Sequence, residues 1–135
     1  MAKYISMLAN GGNSIDVSIV KTIINSDGNQ MSKENIDKYV SEKLNFKIDE
    51  NTEDLNISEE NLQAILEGMK GVTSESGGTA YSTFAGFDIE IAGKTGTAQV
   101  GSKTNGWFAG FAPFDNPEIA VVVVVENCAS RRIYS

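Results

Sequence analysis

The sequence contains no histidine and a single cysteine, Cys128. A histidine-based catalytic triad or zinc site therefore cannot be built from it, and neither can a disulfide framework or a cysteine-clustered metal site. No stretch approaches the roughly 18 apolar residues that cross a bilayer, and no basic segment precedes an apolar run. The longest such run, Ile119 to Val125, is seven residues, which is strand length. Basic residues are also scarce: 11 Lys and Arg stand against 18 Asp and Glu, for a net charge of −7. Such a chain repels phosphate backbones and anionic lipid, so no nucleic-acid partner is expected and the chain itself is expected to be soluble.

What is present reads as globular. Apolar residues make up 41% of the 135 and charged residues 21%, enough for one domain or part of a larger one but not for two. Tyr4, Ile5 and Leu8 share a helical face that Asn10-Gly11-Gly12 ends. Residues 15 to 24 are rich in β-branched side chains and alternate at Ile15, Val17 and Ile19, which predicts a strand before a turn at Asn25–Gly28. Ser32 is placed to cap a helix carrying Ile36, Val40 and Leu44, with Met31 and Ile36 as its hydrophobic staple. From Lys33 to Glu60 nine acidic residues face four basic ones, five of the seven net negative charges. Residues 28 to 57 thus read as an acidic, variable helix–loop segment.

A second capped helix is better specified. Ser58 is its N-cap, Ile57 and Leu62 its staple, Leu62, Ile65, Leu66 and Met69 its apolar face, and Gly71 its expected stop. Ser74–Gly78 reads as a flexible loop. Strands are expected over Thr79–Phe84, from Asp88 to about Val100, over Asn105–Ala112 and over Glu118–Glu126, with a hairpin turn at Gly101–Thr104. Five consecutive valines, 121 to 125, have no polar face, which predicts a central strand covered on both sides. The expected class is α/β (α+β), an antiparallel sheet flanked by helices. The first helix begins without a cap and the chain ends just past the valine strand, so both ends are expected to lie inside a larger domain.

The segment Ile91-Ala92-Gly93-Lys94-Thr95-Gly96-Thr97 is the most distinctive. It contains Gly-Lys-Thr, but a phosphate-binding loop needs a glycine at position 88, which is aspartate, and it must open a helix. The alternative is a strand edge lining a site. There Lys94 and the backbone near Gly96 would offer a cation and free N–H groups to an anion. An exposed lysine on a surface hairpin fits the spacing equally well. Along such a strand Thr95 and Thr97 share one face, and Lys94 takes the other unless the strand twists.

Lys94-Thr95-Gly96 is also the third signature of the penicillin-binding, serine-acyl-enzyme family. The match extends through Gly93–Gln99, Trp107–Pro113, Asp115–Ala120 and the valine strand to Asn127. Ala9–Gly12, Gly68-Met69 and Gly78-Thr79-Ala80 fall in the same order. The chain resembles the C-terminal part of the transpeptidase domain of a class B penicillin-binding protein, with Asp115–Asn127 closer to the cell-elongation type than to the division type. That resemblance implies a peptidoglycan D,D-transpeptidase that cross-links stem peptides by serine acyl transfer and is acylated by β-lactams. Lys94 would belong to the polar network near the active serine, and Thr95 would hydrogen-bond the substrate carboxylate. Gly96 would keep the floor of the site low, and Thr97 would give a backbone N–H to the oxyanion hole and contact substrate. No metal or cofactor is implied.

The resemblance also implies parts that are missing. No Ser-x-Asn occurs, and the one Ser-x-x-Lys string, Ser18–Lys21, lies where a strand is predicted. The nucleophile is thus expected in a preceding part of the domain, with the isolated chain inactive and exposing apolar surface where that part would pack. The parent would be membrane-anchored with this domain extracytoplasmic, and it would meet stem peptide, β-lactams and cell-wall elongation proteins. A β-lactam-hydrolysing enzyme, a β-lactam sensor and a catalytically dead scaffold remain alternatives. Trp107, Phe108 and Phe111 read as sheet–helix core, and Cys128 as a passive strand-end residue.

Overall fold

The computed structural model describes residues 1–15, 17–44 and 55–128. They fall into two compact units, one of residues 1–15 with those from 55 onward and one of residues 17–44. In chain order the elements are α1 (Ala2–Ala9), α2 (Lys33–Leu44), α3 (Glu59–Ser74), α4 (Tyr81–Phe84), β1 (Ala92–Val100), β2 (Lys103–Ala112) and β3 (Ile119–Cys128).

The smaller unit holds α2 and a tight turn. Asn25 Oδ1 accepts from the N–H groups of Asp27 (3.0 Å) and Asn29 (2.8 Å), so the turn closes on its own side chain. Instead of the strand expected over 15–24, the described residues form only one bridge, Ile24 with Gln30. Among the described residues the β-branched pattern there has no neighbouring strand to pair with, and Val17 and Ile19 are exposed. Ser32 caps α2 as expected, accepting from the Asn35 N–H at 3.4 Å, and Ile36 is buried. The acidic stretch continues into 45–54, which lies outside the described residues.

In the larger unit α1 ends where the glycines require it. Gly11 and Gly12 adopt φ of 68° and 85°, and the Gly12 N–H returns to the Met7 carbonyl at 2.8 Å. Ser58 caps α3 through the Asn61 N–H, at 3.4 Å. The helix runs past the expected stop at Gly71 and ends at Ser74. Its end is fixed by tertiary contacts. The Glu75 N–H bonds the Gly71 carbonyl, the Ala80 N–H bonds the Val72 carbonyl at 3.0 Å, and Thr73 Oγ1 shares its proton between the carbonyls of Lys70 and Ile91. Ser74–Gly78 is therefore a tight turn folded back on the helix. The strand expected over Thr79–Phe84 is instead a turn followed by the single-turn α4, because Ala80 is tied to α3 and not to a sheet.

The sheet is antiparallel, in the order β1-β2-β3. β1 and β2 form a hairpin from Ala92↔Phe111 to Val100↔Lys103 across the two-residue turn Gly101-Ser102. β1 starts four residues later than expected, at Ala92 instead of Asp88. One face of the sheet carries Ala92, Ala109 and Phe111, which are buried against Ile5 and Leu8 of α1 and Leu62 and Met69 of α3. That shared apolar patch is the core and supplies most of the driving force. On the other face Phe108 lies across Gly93, and its ring centroid is 5.3 Å from that of Phe84.

The valine strand differs from expectation. Among the described residues β3 is an edge strand, with Val121, Val123, Val124 and Val125 exposed at 42, 46, 39 and 55%. A strand without a polar face reports that both its surfaces suit burial, but not which strand lies beside it. Here the hairpin connections set the order.

One polar link braces the sheet edge. Lys70 Nζ lies 3.0 Å from Glu90 Oε2 and 4.7 Å above the Phe114 ring, and the Phe114 N–H bonds the Glu90 carbonyl. The hydrogen bond to Glu90 raises the Lys70 pKa above its ordinary value of 10.5; burial opposes the rise, and the charges of Glu90, Glu67 and Asp115 add to it. Because the folded value is the higher, the link's stabilisation is complete below 10.5 and is lost as pH climbs through the folded value. The urea midpoint of the wild type should therefore exceed that of Lys70→Met at neutral pH, and the gap should close as pH rises through the folded Lys70 value. A constant difference across that range would show that Lys70 acts by packing alone.

Candidate active site

β1 carries Lys94, Thr95, Gly96 and Thr97, and β2 pairs with only one of its edges. Among the described residues the other edge is unpaired, so alternate N–H and C=O groups along it face outward. The four expected residues are thus contiguous on one accessible strand edge, but their environments differ. Thr95 is buried at 7%, Gly96 is half-buried, and Lys94 and Thr97 are exposed.

Strand alternation separates the side chains as the spacing implies. Lys94 lines a hollow of about 450 Å³ with Met1, Tyr4, Ile65, Met69 and Trp107. Its ammonium folds back to the Thr95 carbonyl, and among the described residues no carboxylate pairs with it. Thr95 opens on the opposite face, in a hollow of about 480 Å³ lined also by Thr79, Thr83, Phe84 and Phe108. Gly96 has open space in front of it. A Cβ there would meet only Trp107 Cβ, at the ordinary contact distance of 3.6 Å. The missing side chain is therefore not demanded by packing; its effect is to leave the strand bare.

Thr79 lies beside this candidate strand, a placement that the sequence reading passed over. Its Oγ1 lies 2.6 Å from Thr95 Oγ1. Gly78-Thr79-Ala80 was visible as a matching string, but the strand expected there hid its position beside β1. The aromatic readings divide: Phe111 is core at 2% exposed, while Trp107 and Phe108 are half-buried and line hollows. Cys128 is half-buried at the end of β3, its thiol donating to the Val125 carbonyl at 3.3 Å.

The string Ser18–Lys21 forms neither the predicted strand nor a helix. Ser18 Oγ donates to the Val20 carbonyl at 2.9 Å and accepts from the Val20 N–H at 3.2 Å, in exposed irregular backbone. Among the described residues no helix is long and apolar enough to cross a membrane.

Comparison with known sequences decides the family: the profile described as penicillin binding protein transpeptidase domain matches residues 1–133. The chain belongs to the penicillin-binding protein transpeptidase family. Penicillin-binding protein H of Bacillus subtilis is 35% identical over 138 residues, covering 94% of this chain and 18% of its own length. The peptidoglycan D,D-transpeptidase MrdA of Haemophilus influenzae is 37% identical over 81 residues, covering 48% of this chain and 12% of its own length. The chain thus spans less than a fifth of these curated relatives. Among solved structures, Pseudomonas aeruginosa PBP2 in complex with WCK 5153 superposes with a TM-score of 0.70 at 34% identity, covering 93% of this chain and 24% of that one. The mixed fold of helices and antiparallel sheet is that of transpeptidase-domain structures.

Proposed function

We propose that this chain supplies the Lys-Thr-Gly strand of a peptidoglycan D,D-transpeptidase of the class B, cell-elongation type. One observation carries the reading: Lys94, Thr95, Gly96 and Thr97 lie along a strand edge that is unpaired among the described residues and whose glycine is bare without any packing need. A peptide laid along that edge would meet backbone donors and acceptors, with the Thr95 hydroxyl beside it. In the proposed reaction a serine from elsewhere in the domain attacks the carbonyl of a D-Ala-D-Ala bond. The C–N bond breaks, the leaving D-alanine amine takes up a proton, and an acyl-enzyme ester remains. An amine of a neighbouring stem peptide then takes the acyl group and the serine regains its proton. Lys94 would stabilise negative charge near the serine and the substrate carboxylate. Thr95 would donate to that carboxylate, and Thr97 would turn its backbone N–H toward the developing oxyanion.

The nucleophile is proposed to lie outside these 135 residues. Ser18 is engaged by Val20, and no Ser-x-Asn is present. The complete protein is proposed to be membrane-anchored with this domain outside the cytoplasm. The complex between PBP2 and MreC from Helicobacter pylori, whose PBP2 chain superposes with a TM-score of 0.50, supports a partner among elongation proteins.

Intact-mass spectrometry after incubation with benzylpenicillin tests this. The complete protein should gain one covalent adduct lost on prior denaturation, and the 135-residue chain should gain none. An adduct on the short chain would overturn the assignment of the nucleophile. No adduct on the complete protein would favour a scaffold.

A further inference from the structure

Thr79 and Thr95 form a hydroxyl pair that the Lys-Thr-Gly reading does not include. Their oxygens are 2.6 Å apart, in the short range for O–H···O bonds. Two hydroxyls hold two protons, and one is consumed between them. The pair therefore offers one remaining O–H to a ligand. If Thr79 donates to Thr95, the Thr95 proton is released toward the hollow that both residues line. A chain running from Thr79 to Thr95 to a carboxylate is polarised in one direction, and each bond strengthens the next.

The backbone on both sides of Thr79 is held in place. Gly78 packs so closely on α3 that a Cβ would sit 2.4 Å from the carbonyl oxygens of both Gly71 and Val72. Ala80 is 4% exposed, and its N–H bonds the Val72 carbonyl. Thr73, one residue before the end of α3, bonds the Ile91 carbonyl at the entrance to β1. The end of α3 thus grips the start of β1 and also presents Thr79 to Thr95.

Building on the transpeptidase reading, we infer that Thr79 is a positioning residue: it donates to Thr95 and so turns the Thr95 hydroxyl outward as a donor to the substrate carboxylate. Its contribution is specific to ligands that bring an ionised acceptor to Thr95. A neutral ester there gains little from the ordered donor.

The test uses the complete protein containing this chain and compares acylation rates for benzylpenicillin and for its methyl ester. Thr79→Val should slow benzylpenicillin about tenfold, roughly the upper range for the net worth of one ordinary hydrogen bond, and leave the ester rate within about twofold. Thr79→Ser, which keeps the hydroxyl, should restore the benzylpenicillin rate to within about twofold of wild type. Equal slowing of both ligands, or failure of serine to rescue, would make Thr79 a structural residue and overturn the inference. An unchanged benzylpenicillin rate in Thr79→Val would overturn it as well. Should Thr79→Val fail to fold in a thermal melt, Thr79→Ala carries the same comparison. Failure of the wild type to be acylated would instead overturn the transpeptidase reading.

Discussion

Gly78→Ala should destabilise the larger unit by about 3 kcal/mol. The new Cβ would stand 2.4 Å from two carbonyl oxygens, those of Gly71 and Val72, and 2.7 Å from the Val72 carbonyl carbon. These are backbone atoms at the end of a helix and cannot swing aside as a side-chain tip would. Relief requires the 75–80 turn to lift off α3, which breaks the bond from the Ala80 N–H to the Val72 carbonyl. Gly68→Ala is the matched control. Its Cβ meets nothing within 4 Å on an exposed position of the same helix, so it should stabilise by about 0.5–1 kcal/mol. Urea denaturation of the two variants reads the contrast directly. Equal midpoints would mean that the turn is not packed as described.

Gly96→Ala should do the reverse, sparing the fold and impairing the site. Its Cβ would touch only Trp107 Cβ at 3.6 Å, so stability should stay within about 0.5 kcal/mol of wild type. Yet the methyl group would stand on the face of β1 beside Lys94 and Trp107, next to the edge along which the proposed substrate backbone would lie. Displacing a reacting group by about 1 Å can cost on the order of 100-fold. Acylation of the complete protein by benzylpenicillin should fall by about that factor at an unchanged melting temperature. An unaffected rate would show that substrate does not approach β1 at Gly96, and the proposed geometry would fail with it.

Local chemistry was the most legible part of the fold. The caps at Ser32 and Ser58, the double-glycine stop of α1 and the β1–β2 hairpin each follow from residues a few positions apart, and all are found. Features set by distant partners were not. Thr79–Phe84 alternates like a strand but folds to α4 because Ala80 bonds Val72. The glycine at 71 would end an isolated helix, whereas the turn that packs onto α3 carries it one turn further. The residues of the Lys-Thr-Gly strand could be named from their letters alone. That Lys94 faces away from Thr95 and Thr97 followed from strand alternation. The Thr79–Thr95 pair spans 16 positions, and no periodicity within either segment encodes it.

The valine edge of β3 has a consequence for the chain in isolation. Five apolar β-branched residues, without proline or charge among them, match the composition of segments that stack into cross-β fibrils. An exposed edge of that kind is a template for pairing with further copies. Glu118 and Glu126 bracket the run, and in any in-register stack their carboxylates would be piled at the strand spacing of about 4.8 Å. Like charges at that spacing repel, so the two glutamates act as gatekeepers against fibril growth. That protection weakens as salt screens them, and low ionic strength is where the chain keeps best to itself.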